Sequence, residues 1–256
     1  MAKPDGPEIE PAARAELLPL EEGDFHCLSA GLARDPQFND RRLVLRRKLL
    51  SMAKVFAARA VQHGLVLDVR TSLHAPSTFN HMQVKRIWAY ACRDKAEKKR
   101  LRGVLGADLG RDLDAAYRNA YLCIAVEADA LEVSLRIHAD AWFDGQNLVQ
   151  RVKKEGLDGW KDLLDRLAGF QLNLADWKGE WPCGNLGRER LEEFLKYYKP
   201  AEHALAVEHR IPATPGARPA LFAPDVPAQL LAELERLIPL YRFMVWSKES
   251  DFLFGR

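Results

Sequence analysis

Long apolar runs and closely spaced cysteines are both missing from this 256-residue sequence. No stretch approaches the roughly 18 uncharged apolar residues of a membrane-spanning helix, so we do not expect a membrane protein. The acidic, proline-containing N-terminus has no apolar segment of the kind found in secretory signals. The four cysteines form no CxxC pair, which favours buried, reduced thiols in a cytoplasmic protein.

Signature motifs of the common enzyme classes are also missing. The sequence has no GxxxxGK[ST] phosphate loop, no GxSxG nucleophile elbow and no HExxH zinc motif. Cys183 lies in a Trp-Pro-Cys-Gly segment without an evident base, so we do not expect it to act as a nucleophile. No motif indicates a cofactor, and the sequence leaves any cofactor unknown.

The strongest structural pattern is a hairpin at residues 120–142. From Leu131 to Ile137 apolar and polar residues alternate, as in a strand with one buried and one polar face. Residues 121–126 are apolar on both sides, as in a central strand that is covered on both faces. Residues 127–129 would connect the two strands.

The order of the predicted elements favours an α+β fold, with a mixed, mainly antiparallel sheet of about five or six strands covered by helices. We expect residues 1–21 to form a flexible tail and residues 22–256 to form a single domain with a proline-rich loop at 212–227. Besides the hairpin, the main predictions are strands at 65–70, 87–92, 170–174 and 203–209 and helices at 41–63, 112–119, 158–167 and 188–198, with Asp144 as the N-cap of a further helix.

Basic residues are unevenly distributed, although the formal net charge is only +2. Residues 41–54 carry six basic and no acidic side chains, and residues 85–102 carry eight basic and two acidic ones. Segments of this kind can present a basic face to an anionic partner. Trp88 and Tyr90 precede the basic run 93–102. Basic residues neutralise phosphates and aromatic rings stack on bases, so this combination favours nucleic-acid binding. The alternation of the strand is also consistent with both rings being buried.

The leading hypothesis is therefore a cytoplasmic binding or regulatory protein that contacts nucleic acid or another polyanion through a single basic surface. The predicted phosphate-binding residues are Arg46, Arg47 and Lys54 on the first long helix, and Lys95, Lys98, Lys99, Arg100 and Arg102 in a loop.

A small hydrolase acting on phosphoesters, with or without a metal, is the second hypothesis. His138 and Asp140 follow the polar side of the hairpin strand, and their i, i+2 spacing would let them orient one another or hold a metal. The long polar loop at 71–83 would add His74 and His81 if the fold brings them to the same place. The simpler interpretation is a strand whose charges pair along the ladder. The metal, if any, is unknown.

A protein–protein adaptor is the third hypothesis. It would use the proline-rich segment 212–227 and exposed aromatic residues near the C-terminus as its contact surface. The partner, the substrate and the oligomeric state are not encoded in any pattern of this sequence.

Overall fold

A computed structural model describes residues 17–255. These residues form one seven-stranded antiparallel sheet with helices, which confirms the predicted α+β class and adds strands to the five or six expected. The strands are β1 (Leu67–Thr71), β2 (Arg86–Arg93), β3 (Ala120–Glu127), β4 (Ala130–Ile137), β5 (Gln171–Leu174), β6 (Trp181–Pro182) and β7 (Leu205–Pro212). The α-helices are α1 (Glu22–His26), α2 (Asn39–Ala60), α3 (Lys95–Leu109), α4 (Trp142–Glu155), α5 (Asp158–Asp165), α6 (Arg188–Tyr197), α7 (Val226–Arg236) and α8 (Ile238–Met244).

The sheet has the strand order β1-β2-β3-β4-β7-β5-β6. The predicted hairpin is confirmed as β3 and β4, which pair in register from Ala120 opposite Ile137 to Val126 opposite Leu131. Strand β7 comes from far along the chain and pairs with the outer side of β4. The hairpin therefore lies near the middle of the sheet.

The main core lies between one face of the sheet and the helices. Helix α2 places a stripe of Leu45, Leu49, Met52 and Phe56 against this face, and all four side chains are fully buried. Their spacing of three or four residues puts them on one side of the helix. The chain leaves α2 through a short 3₁₀ turn that ends at Gly64, whose positive φ of 72° is the left-handed conformation in which helices commonly end.

The opposite face, called the open face below, carries the other side chains of the same strands. Its apolar part consists of residues of β2 and β3, and the only described hydrophobic residue outside the strands that packs against it is Ala116. We infer that large side chains of the strands themselves, rather than a layer of helices, cover this face.

The secondary structure of the basic run 93–102 differs most from the prediction. Most of it is helix α3 rather than a loop, and Asp94 caps this helix by accepting a hydrogen bond from the Glu97 backbone N–H at 2.8 Å. The predicted helix at 112–119 is wrong, because this segment holds turns and a short 3₁₀ helix, Ala116–Arg118.

Asp144 differs from its predicted role as an N-cap. Helix α4 already begins at Trp142, so Asp144 lies in the first turn with its carboxylate directed inward. There it binds Arg93 at the end of β2, with both side chains buried. Local sequence cannot distinguish a capping aspartate from one that binds a distant arginine.

Both ends of the described chain pack against the core. Leu17 and Leu20 contact it within the predicted tail, of which residues 1–16 lie outside the described part. Near the C-terminus, Tyr241, Phe243 and Trp246 are buried. The expectation of exposed aromatic residues there, on which the adaptor hypothesis depends, is wrong because α8 and the segment after it turn these rings into the protein.

Two expectations from composition can be compared with the structure. All four cysteines are free and buried, as predicted. Among residues 17–255, none of the helices combines the length and the apolar character that a membrane span requires.

Candidate functional site

Three aromatic rings form a cluster on the open face. Trp88 and Tyr90 are two residues apart on β2 and stack with a centroid distance of 4.8 Å, and Tyr121 on β3 lies 5.6 Å and 5.5 Å from them. The residues opposite Trp88 and Tyr90 on β3 are Ala125 and Cys123, whose small side chains leave room for the rings. Tyr90 is buried, whereas Trp88 and Tyr121 remain half-buried and accessible from the open face.

Beside the aromatic cluster, Glu132 is the centre of a charged network. It is 1% exposed, and its two oxygens accept hydrogen bonds from Arg86 at 2.7 and 2.9 Å. Arg136 donates to the same carboxylate at 2.7 Å, and Arg210 on β7 donates at 3.2 Å. Ser134 donates a further bond at 2.7 Å. The predicted pairing of charges along the ladder is thus observed, but around a buried carboxylate.

Two glutamates of this face have pKa values that move in opposite directions. Burial alone would raise the pKa of Glu132, but the hydrogen bonds and charges of Arg86 and Arg136 outweigh it and lower the pKa to about 2. Glu208 is bound by Arg136 and Asn173, yet burial dominates and its pKa is raised. The arginines of the network are therefore bound to carboxylates, and their role is to stabilise the arrangement of side chains on this face.

A groove of about 500 Å³ continues across the open face from β3 and β4 to β5. Tyr121, Arg136, Asn173 and Glu208 are among the residues that line it. At its far side lies Trp177, which is 45% exposed and stacks on Tyr197 at a centroid distance of 4.2 Å. The open face thus offers aromatic surfaces on both sides of a polar groove.

Helix α3 follows β2 and contacts the open face through Lys98. Lys98 binds Asp68 of β1 at 3.1 Å and lies 3.5 Å from Asp114. Three of the five predicted binding residues of α3 are exposed and form no ion pair with another described residue: Lys95, Lys99 and Arg102. Arg100 is also exposed but pairs with Glu97. Lys98 is buried. A charge reversal at Lys98 would place a carboxylate in a buried position beside two others, so Lys98 is a structural residue.

The predicted binding residues of α2 lie on the other side of β1. Arg46 donates a hydrogen bond to Thr71 Oγ1 at 2.6 Å, and Arg47 and Lys54 are exposed on the same helix. Helix α2 packs on the helix-covered face, whereas Lys98 of α3 contacts Asp68 on the open face. Only α3 borders the open face.

The structure does not bring the four predicted catalytic residues together. His138 and Asp140 do pair, with 3.2 Å between Nδ1 and Oδ2, at the end of the hairpin where Ile137 opposes Ala120. His74 and His81 lie in the loop after β1, which leaves the sheet toward the other end of the hairpin.

The histidines of that loop also lack metal-binding surroundings. The guanidinium of Arg46 lies 3.4 Å from His74 Nδ1, where it would repel a metal cation, and burial together with this charge lowers the pKa of His74. Within residues 17–255, no group of three histidine, cysteine or acidic side chains is arranged to hold a metal ion. The predicted hydrolase cleft is therefore not assembled, because antiparallel strands carry its parts to opposite ends of the sheet.

No known family model matches the chain, and no curated protein sequence matches it significantly. Function is therefore inferred from the residues of this chain alone. The residues that sequence reasoning missed are Arg86, Tyr121, Trp177, Glu208 and Arg210. Only a weak signal for the first two was present, because Tyr121 lies in a predicted strand of apolar residues and Arg86 directly precedes another.

Proposed function

We propose that the protein binds single-stranded nucleic acid across the open face of its sheet. The observation that carries the proposal is the aromatic cluster of Trp88, Tyr90 and Tyr121 on the open face, which helix α3 reaches through the contact of Lys98 with Asp68. Its expected location is the cytoplasm, in keeping with four free and buried cysteines.

The aromatic residues would hold the bases. Unpaired bases stack on tyrosine and tryptophan rings, and open antiparallel sheets display such rings in single-strand binding modules. Trp88 and Tyr121 offer half-buried rings at one side of the groove, and Trp177 offers an exposed ring at the other. A strand that crosses the groove would meet aromatic surface on both sides and polar groups such as Asn173 between them.

The phosphates would be bound by α3. The arginines of the open face are engaged with Glu127, Glu132 and Glu208, so they add little free positive charge. Lys95, Lys99 and Arg102 are exposed without such partners among the described residues. They are therefore the groups that would neutralise phosphates and release counterions.

Binding is expected to weaken as salt rises, with a slope of about −2 in a plot of log K against log salt. This value corresponds to about three phosphate contacts at roughly −0.7 per contact for a single strand. Lys99→Glu should make the slope shallower and binding weaker, because it removes one contact and adds a repulsive charge. Fluorescence anisotropy with labelled single-stranded RNA and DNA of mixed sequence provides the measurement.

Two matched charge reversals locate the phosphate contacts. Lys54→Glu on α2 and Lys153→Glu on α4 change equally exposed lysines away from the open face, and both should leave the salt slope unchanged. If Lys54→Glu weakens binding while Lys99→Glu does not, the nucleic acid binds on α2 and the open face is the wrong surface. A slope near zero for the unmodified protein would remove the nucleic-acid proposal entirely.

Trp88→Ala should weaken the binding of single strands by about tenfold, since stacking on one base contributes roughly 1–3 kcal/mol. The salt slope should stay the same, because no phosphate contact is lost. Trp88→Phe keeps a ring and should retain most of the affinity. Equal affinities for Trp88→Ala and the unmodified protein, with both folded by circular dichroism, would exclude the aromatic cluster as the base-binding surface.

A further inference from the structure

A second cavity, of about 700 Å³, lies away from the groove of the open face. It is bounded by the start of β1, the first turns of α3, helix α8 and the turn that follows α8. Leu65, Leu163 and Val245 form part of an apolar wall, and arginines from three different helices line it as well. A volume of this size lies within the range of small-molecule sites.

Three polar atoms of residues that line this cavity lack hydrogen-bond partners among the described residues. They are Tyr241 Oη, Trp246 Nε1 and Glu97 Oε2. Tyr241 and Trp246 are each only 3% exposed, and protein interiors rarely leave such donors unpaired. These three atoms have almost no solvent-accessible surface, so they lie behind the cavity wall and the lining that a ligand would meet is formed by other atoms.

Positive charge is available on the same cavity wall. Arg242 is exposed, and its only described hydrogen bond goes to the backbone carbonyl of His63, at 3.0 Å. Arg151 lies flat over the ring of Phe243, 3.9 Å from its centroid, and donates to the Phe243 carbonyl. Arg242 is thus the cation with the greatest freedom to bind an anionic group.

We propose that this cavity binds a small organic anion with an apolar body. The anionic group would accept hydrogen bonds from Arg242. The apolar body would pack against the wall that includes Leu163. This site is separate from the open face and does not depend on the binding of nucleic acid there.

Anilinonaphthalene sulfonate is a suitable probe, because it combines a sulfonate and apolar rings, and its fluorescence rises in apolar surroundings. Titration into the full chain should give saturable binding with one site. Arg242→Gln should weaken this binding by about tenfold, as expected for the loss of a charge-assisted hydrogen bond. Leu163→Trp should weaken it, because the larger ring takes up space beside the apolar wall.

Matched controls separate this site from other surfaces. Arg34→Gln changes an exposed arginine that does not line the cavity, and Trp88→Ala changes the open face. Both should leave probe binding unchanged. The proposal is overturned if binding does not saturate, if Arg242→Gln binds as tightly as the unmodified protein, or if Trp88→Ala removes the signal. Arg242 is exposed, so its variant remains a valid test even if Leu163→Trp fails to fold.

Discussion

Asp144→Ala is expected to lower the free energy of unfolding by about 3–5 kcal/mol, the usual cost of removing one partner of a buried ion pair. The Asp144 carboxylate is fully buried and binds both terminal nitrogens of the Arg93 guanidinium. It also accepts hydrogen bonds from the backbone N–H groups of Ala120 at 2.9 Å and Trp246 at 3.0 Å. The variant would leave a buried cation and two buried donors without this acceptor.

The size of this effect follows from what Asp144 connects. Its four hydrogen bonds join the end of β2, the start of β3, the first turn of α4 and the segment after α8. Urea unfolding followed by circular dichroism measures the loss. Asp158→Ala is the matched control, because Asp158 also lies in the first turn of a helix but is exposed, and it should change the unfolding free energy by less than about 1 kcal/mol. Equal losses for the two variants would show that the buried pair contributes little.

The sequence predicted those elements whose signals are local. Helix α2 has an apolar stripe, and strand β4 alternates strictly, so both could be found from neighbouring residues alone. Helix α3 was missed because its apolar positions are few and Gly103 and Gly106 lower helix propensity. Asp94 followed by Glu97 was a usable signal for the start of this helix, and it was overlooked.

The candidate site was harder to predict than the fold, because its contacts join distant parts of the chain. Glu132 meets Arg86 and Arg210, which are 46 and 78 residues away in sequence. No local pattern shows that β7 pairs with β4. For the same reason, the sequence could not show that α2 packs on one face of the sheet while Lys98 of α3 contacts the other, or that the loop of His74 and the end of the hairpin at His138 lie at opposite ends of the sheet.

The contacts of Glu132 with arginines of other strands also make the stability of the fold depend on pH. Its pKa is lowered to about 2 in the folded protein from an ordinary value of 4.5. A lowered folded-state pKa means that the ionised carboxylate stabilises the fold above about pH 4.5. This contribution is lost as the pH falls from there toward 2. At roughly 1.4 kcal/mol per pKa unit, it amounts to about 3 kcal/mol.

Glu132→Gln should therefore be less stable than the unmodified protein at neutral pH, and the difference should shrink as the pH falls from about 4.5 to 2. Glu208 cannot produce this trend. Its pKa is raised in the folded protein, so the folded state binds a proton at Glu208 more readily than the unfolded state, and a fall in pH stabilises the fold through this residue. Chemical unfolding at a series of pH values gives both curves. Glu189→Gln, at an exposed glutamate without an ion pair to another described residue, should follow the unmodified protein throughout. Parallel curves for Glu132→Gln and the unmodified protein across this interval would mean that the arginines around Glu132 do not hold it ionised.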